Sequence, residues 1–258
     1  MKKNILALFI GSLLIMSCTN DENEAQQTSS NDKTLVTKWT QTESNGKTYE
    51  TTYSYIGLKL DQITYGVDSS FSKYTYTGDL ITKIEYFTKT NDLREITTLE
   101  YDSSNNLIKE NTTDERYEGT YTFISTYTHN NDNTITENYS DSSSSNGDIH
   151  AFEKTIYVQD GEVLKTVESS IGYLTNFSYL PKNNPFKNII GYNKLFFSSY
   201  LGEKGNLKII ESKIAEDKNT TYDYTTFTNN NYPLLFVKTY DNVRLGKSST
   251  TIEIEYSL

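Results

Sequence analysis

The sequence predicts an all-β protein: an antiparallel β-meander forming a large curved sheet or open barrel, with one irregular packed insertion. Three observations predict it. Apolar and polar residues alternate with period two through most of the chain from Leu35 onward, as half-buried antiparallel strands require. Turn residues break that alternation at short intervals. Tyr and Thr, both strand formers, recur throughout, with 22 Tyr beside 11 Phe and 3 Pro.

The elements follow in order. Tyr49-Glu50-Thr51-Thr52-Tyr53-Ser54-Tyr55 puts rings on one face and polar groups on the other. Tyr74-Thr75-Tyr76, Ile84-Glu85-Tyr86 and Ile252-Glu253-Ile254-Glu255-Tyr256 repeat the pattern. Turns are expected at Thr77-Gly78-Asp79, at Asp102 to Asn106, at Asn130 to Asn133 and at Asp160-Gly161, the last a pair that favours a type I′ hairpin. The units from Tyr74 to Tyr86, Leu99 to Glu110 and Ile156 to Glu168 share one form: aromatic-x-Tyr, a turn of about two to five residues, Leu or Ile, then Lys and an apolar or acidic residue. Tyr53 to Tyr65 fits more loosely. Their spacing drifts, so they are hairpins of a meander rather than solenoid repeats. Each buried ring removes about 150–250 Å² from water, and the Tyr hydroxyl needs a partner or water.

Two segments depart from this rhythm. Asp141 to Asp148 (DSSSSNGD) is low in complexity and is expected to form a long exposed loop. Leu180 to Leu207 is punctuated by Pro181, Pro185, Gly191, Gly202 and Gly205, yet loaded with Phe186, Ile189, Ile190, Leu195, Phe196 and Phe197. It is expected to be a packed insertion, with a helical turn after Pro185, that plugs or caps one end of the sheet.

The amino terminus carries an address. Lys2 and Lys3 precede an apolar stretch from Ile5 to Met16, too short to span a bilayer and suited to a signal peptide. It ends in Ile15-Met16-Ser17-Cys18, which resembles the lipobox of bacterial lipoproteins, although Met16 is larger than the usual residue there. The resemblance implies cleavage before Cys18 and lipid on its thiol. Cys18 is the only cysteine, so no internal disulfide competes for it. The polar run behind it, opening Thr19-Asn20-Asp21-Glu22-Asn23-Glu24, reads as a flexible tether. Its acidic cluster looks like the surface-export signal of Bacteroidota lipoproteins. The expected organisation is a signal peptide at 1–17, a tether at 18–34 and one β domain at 35–258. The expected location is the outer membrane, exposed at the surface or, alternatively, facing the periplasm.

The motif Tyr179-Leu180-Pro181-Lys182-Asn183-Asn184-Pro185-Phe186-Lys187, with Asn229-Asn230-Asn231-Tyr232-Pro233 later, resembles a group of Bacteroidota lipoproteins of unknown function that carry Tyr-rich hairpins and an NPFK element. That resemblance implies a curved, porin-like but non-membrane β structure. The hairpins are also similar to the tyrosine-aspartate repeats of Rhs-type proteins, with Tyr101-Asp102 an imperfect match. Neither group brings a catalytic residue with it.

Net charge is −10, spread along the chain, which argues against nucleic acid and against electrostatic attraction to anionic lipid. His129 and His150 are the only histidines, too few for a zinc site, and both are expected in exposed turn-rich loops. Asp132 and Asp217 sit in loops with incomplete calcium patterns, for which solvated turns are the better account. No Gly-x-Ser-x-Gly elbow accompanies any serine. No metal, cofactor or catalytic set is expected. A transmembrane barrel would show the same alternation, but the lipid anchor and the charges near strand centres speak against it.

The tyrosine excess is the one feature with a functional implication. Tyr53, Tyr55, Tyr65, Tyr74, Tyr76 and Tyr86 on an exposed face would form a platform for a glycan or protein ligand. The competing account makes them core or cross-strand ladder residues. The expectation is a non-enzymatic, membrane-anchored binding protein; the alternatives are a secreted hydrolase acting on glycans and a purely structural or assembly lipoprotein.

Overall fold

Strand follows strand in an unbroken antiparallel meander. In the computed structural model, the described residues are 33–257 apart from 118, 144–148, 170–171, 199–206, 214–216 and 243–245. The first strands are β1 (Leu35–Glu43), β2 (Thr48–Ile56), β3 (Lys59–Thr64), β4 (Phe71–Thr77), β5 (Leu80–Phe87) and β6 (Leu93–Tyr101). Next come β7 (Leu107–Tyr117), β8 (Gly119–His129), β9 (Thr134–Ser143), β10 (Ile149–Gln159) and β11 (Glu162–Glu168). The chain finishes with β12 (Tyr173–Tyr179), β13 (Leu207–Lys213), β14 (Asp217–Phe227), β15 (Pro233–Asn242) and β16 (Gly246–Ser257). Each pairs with its neighbour in sequence, and β1 pairs with β16, with Leu35 opposite Ser257 and Trp39 opposite Ile254. Among the described residues the curved sheet is therefore a closed barrel of 16 strands. Closure leaves no edge strand.

The two faces of the wall differ as the alternation predicts. In β2, Tyr49, Thr51, Tyr53 and Tyr55 are half-buried, while Thr48, Glu50, Thr52, Ser54 and Ile56 are exposed. In β16, Ile252 and Ile254 are buried between exposed Glu253 and Glu255. The outer face is polar at mid-strand. Lys38 of β1 meets Glu255 of β16 at 2.6 Å and Glu50 of β2 at 3.6 Å, and Lys109 of β7 meets Glu100 of β6 at 2.9 Å.

One local device recurs at the barrel end that holds the β2–β3, β4–β5 and β6–β7 turns. An aromatic near the end of one strand reaches back to the start of the strand before it. The hydroxyls of Tyr55, Tyr101, Tyr179 and Tyr256 donate to the carbonyls of Val36, Ile81, Val163 and Pro233 at 2.7, 2.7, 2.8 and 2.7 Å. The Tyr76 hydroxyl accepts from the Leu60 amide at 3.0 Å. His129 fills the same place in β8, its Nε2 2.8 Å from the Leu107 carbonyl; since a carbonyl only accepts, Nε2 carries the proton.

Opposite several of these latches the next strand holds one extra residue. Tyr55 faces Leu60 while Ser54 faces Gln62, leaving Asp61 unpaired. Thr82, Ile108 and Leu164 are left over in the same way in β5, β7 and β11. Such a bulge turns residues three apart to the same face. Leu60 with Ile63, Ile81 with Ile84, and Leu107 with Glu110 are accordingly all buried.

Most predicted turns stand. Asp160 and Gly161 both have positive φ, 52° and 77°, as a type I′ turn requires. Three expectations change. Asp141 to Ser143 belong to β9 rather than to a loop, because Asp141 and Ser142 find ladder partners on both β8 and β10; residues 144–148 lie outside the described set. The insertion is irregular after Pro185, and among its described residues the one helical turn is a 3-10 turn at Tyr192–Lys194, seven residues later. His129 ends a strand instead of sitting in a loop. Signal peptide, Cys18 and most of the tether lie outside the described residues.

Candidate functional site: the capped mouth of the barrel

A ring of this many strands encloses more space than its own inward side chains fill. At one mouth the segment from Leu180 to Ser198 fills it. Asn184 starts the cap by accepting the Phe186 amide on its side-chain oxygen at 2.9 Å, and Pro185 fixes the backbone between them. That turn drives Phe186 inward, where it stacks on Trp39 of β1 at 6.1 Å between centroids and meets Tyr53 and Tyr192 at 5.8 and 5.9 Å. Phe186 is 2 % exposed.

The cap then crosses the mouth. Asn188 donates to the Thr34 carbonyl and to the Tyr232 hydroxyl, each at 2.9 Å. The Ile190 amide donates to the Leu58 carbonyl in the β2–β3 turn at 3.0 Å. Gly191, at φ 82°, comes so near the β4–β5 turn that a Cβ would lie 2.9 Å from the Asp79 carbonyl oxygen. On the far side Phe197 meets Tyr127 of β8 edge-on at 5.0 Å. The NPFK element and the late Asn-x-Tyr-Pro turn form one unit, because Asn183 donates to the carbonyls of Asn230 and Asn231 and Lys187 lies over the Tyr232 ring.

Where the cap reaches the β8–β9 and β10–β11 turns, a cavity of about 400 Å³ opens at the rim. Ile135 and Val158 form its apolar part, and Phe196 contributes a ring from the cap. Asn130, Asn133, Gln159 and Asp160 add polar groups. The turns fix these groups. Asp132 accepts from the Thr134 amide and hydroxyl at 3.2 and 2.6 Å, bonds that hold its carboxyl below the usual range. The Val158 amide donates to the Asn133 carbonyl at 3.1 Å and ties the two hairpins together. Asp132 is thus a turn former, as expected, whereas His150 and Asp217 lie in β10 and β14 instead of in loops, with ladder partners Asp141 and Lys213; their side chains lie outside the described residues.

Below the rim the inner wall turns polar. Thr97 and Thr112 share a buried hydrogen bond of 2.8 Å, and Ser125 donates to Glu137 at 2.8 Å. Lys154 is ion-paired with Glu137. Glu110 is 7 % exposed, and its Oε1 has no hydrogen-bond partner. Burial pushes its carboxyl up to about 7, against the pull of hydrogen bonds from Ser198 and Tyr127; Glu137 adds to the rise and Lys154 opposes it.

The six tyrosines singled out in sequence do not form an outward platform. Tyr74 is 7 % exposed, and Tyr53, Tyr55, Tyr65 and Tyr76 pack half-buried against the core. Tyr86 is half-buried beside Tyr65, with ring centroids 6.2 Å apart. The barrel turns their face inward, where apolar area is removed from water. Burial raises the phenols of Tyr53, Tyr55, Tyr65 and Tyr74, and lifts Tyr76 to about 12, so all five stay neutral. Tyr53 touches the cap through Phe186, while Tyr55 and Tyr76 serve as latches. The rim residues and Glu110 were not singled out in sequence. For the rim, the Asn130-to-Asn133 and Asp160-Gly161 turn signals were present, but nothing in them says that the two turns meet.

No known protein family matches the chain, and no curated protein sequence matches it. Among solved structures it is similar to a porin-like protein from Bacteroides vulgatus, at 13 % identity and a TM-score of 0.49, over 86 % of this chain and 99 % of that one. A porin-like protein from Bacteroides uniformis is similar at 14 % identity and a TM-score of 0.42, over 86 % of this chain and 96 % of that one.

Proposed function

We propose that this chain is a lipid-anchored protein of the bacterial cell envelope that binds a glycan, peptide or partner protein at the outer membrane without transforming it. The observation that carries the reading is the capped mouth: a segment that packs on β1 through Phe186 and on β8 through Phe197 leaves a cavity at its edge. Two further features support it. The polar outer wall, with Lys38, Glu50 and Glu255 side by side, suits water, since a charge facing lipid at mid-depth costs about 2–4 kcal/mol. The lipobox at Cys18 and the acidic tether supply attachment by lipid instead of by the barrel. In this reading residues 1–17 are removed, 18–34 form the tether and 35–258 the binding domain.

Cys18→Ala is expected to abolish incorporation of labelled palmitate and to release the protein from the membrane fraction. Persistent labelling would refute lipidation at Cys18. Protease added to intact cells is expected to remove the wild-type protein, and full protection would place it in the periplasm. A binding screen of the mature protein against envelope and dietary glycans tests the function itself: saturable binding without product is expected, and turnover of any substrate sinks the binding-only reading. Turnover would favour a glycan hydrolase, for which Glu110 and Glu137 are the acids in contrasting environments, one raised by burial and one paired with Lys154.

A further inference from the structure

Resting on the binding reading, we infer that the rim cavity is the ligand site and that it takes a short neutral oligosaccharide segment. Size comes first. About 400 Å³ lies within the range of about 300–1,000 Å³ that small-ligand sites occupy, so the cavity holds a few sugar units and not a protein surface.

The lining then selects the chemistry. Asn133 and Gln159 present planar amides, each able to donate and accept, which suits neighbouring hydroxyls that do the same. Asp160 adds an acceptor at the turn tip, and its positive φ of 52° fixes it there. Ile135, Val158 and the Phe196 ring supply apolar surface for the C–H faces of a sugar. Phe196 is itself placed edge-on against Phe197 at 5.1 Å, so the cap aims it.

The same lining disfavours other classes. Among the described residues no Lys or Arg borders the cavity, so an anionic sugar would meet the Asp160 carboxylate without a lysine or arginine to offset it. One carboxylate over an apolar floor is a poor match for a polycation. A peptide strand would need an open sheet edge for main-chain pairing, and closure of the barrel through β1 and β16 removes it.

The test uses the full mature lipoprotein in detergent, titrated with neutral tetrasaccharides of glucose, mannose and xylose and with a uronic-acid tetrasaccharide. Saturation-transfer NMR reports contact and calorimetry reports affinity. At least one neutral tetrasaccharide is expected to bind. Asn133→Gly with Gln159→Ala, which keeps the positive φ at 133, is expected to weaken it by about tenfold or more without moving the melting temperature. Phe196→Ala should weaken it comparably. Unchanged affinity in both the amide and the Phe196 variants overturns the site. Binding of the uronic-acid ligand alone overturns the neutral assignment while leaving the binding module intact. Failure of every glycan overturns this inference, and capture of one envelope protein in parallel would then leave the broader reading standing.

Discussion

Replacing Phe186 with alanine is expected to cost about 3–5 kcal/mol of stability, the range for deleting a fully buried aromatic from a well-packed site. For a domain of this size that corresponds to a fall in melting temperature of roughly 10 °C. The large value follows from position. Phe186 is 2 % exposed and sits between Trp39 of the wall, Tyr53 of the neighbouring strand and Tyr192 of the cap. Its loss leaves a cavity lined by three rings, none of which can follow without leaving its own strand or turn. Trp39 is the only tryptophan and is 9 % exposed, so its emission reports on the same contact. In Phe186→Ala the native emission should shift to the red before global unfolding, because water reaches the indole. Phe186→Leu should fall between the two proteins in both readouts. If Phe186→Ala leaves melting and emission unchanged, the cap does not brace the barrel.

How far such a residue was legible beforehand depends on the range of the interaction that places it. The hairpins were legible because alternation and turn chemistry act over a few residues: Asp160-Gly161 fixes a two-residue turn whatever the rest of the chain does. Packing of the insertion was legible too, because apolar residues between Pro and Gly must be buried somewhere. Closure was not, since it rests on Leu35 meeting Ser257, 222 residues away, and no local pattern carries that pairing. The tyrosines illustrate a different limit. Alternation says that Tyr53 and Tyr55 share a face, but an open sheet and a closed barrel give that face opposite environments. Glu110 was hidden by a bulge. Counting by twos from Leu107 puts Lys109 inward and Glu110 outward; the extra residue Ile108 reverses both, leaving Lys109 to pair with Glu100 outside and Glu110 to face the core.

That reversal gives Glu110 the place that Ile63 and Ile84 occupy in their hairpins, one full bulge beyond a buried Leu60 or Ile81. An acid at a core position should leave a pH signature. Burial raises its carboxyl from 4.5 to about 7 in the folded protein, so between those values the folded state holds a proton that the unfolded state has released. Stability is then full below about pH 4.5, falls as pH rises through the window, and levels off above about pH 7, with a total loss of about 3 kcal/mol. The turn carboxylates Asp68, Asp92, Asp102 and Asp132 are lowered by their hydrogen bonds, and their contribution is lost only as pH falls below the ordinary value of 3.8, outside this window. Among the groups around Glu110, Tyr101 and Tyr127 are pushed above the ordinary phenol value by burial and stay neutral throughout. Glu110→Gln keeps the shape and removes the charge. Denaturant midpoints for the variant should match the wild type near pH 4.5 and exceed it at pH 8, by up to about 3 kcal/mol in unfolding free energy. A wild-type protein equally stable at both pH values would show that Glu110 ionises without penalty. Its orphaned oxygen would then have to be solvated from within the barrel.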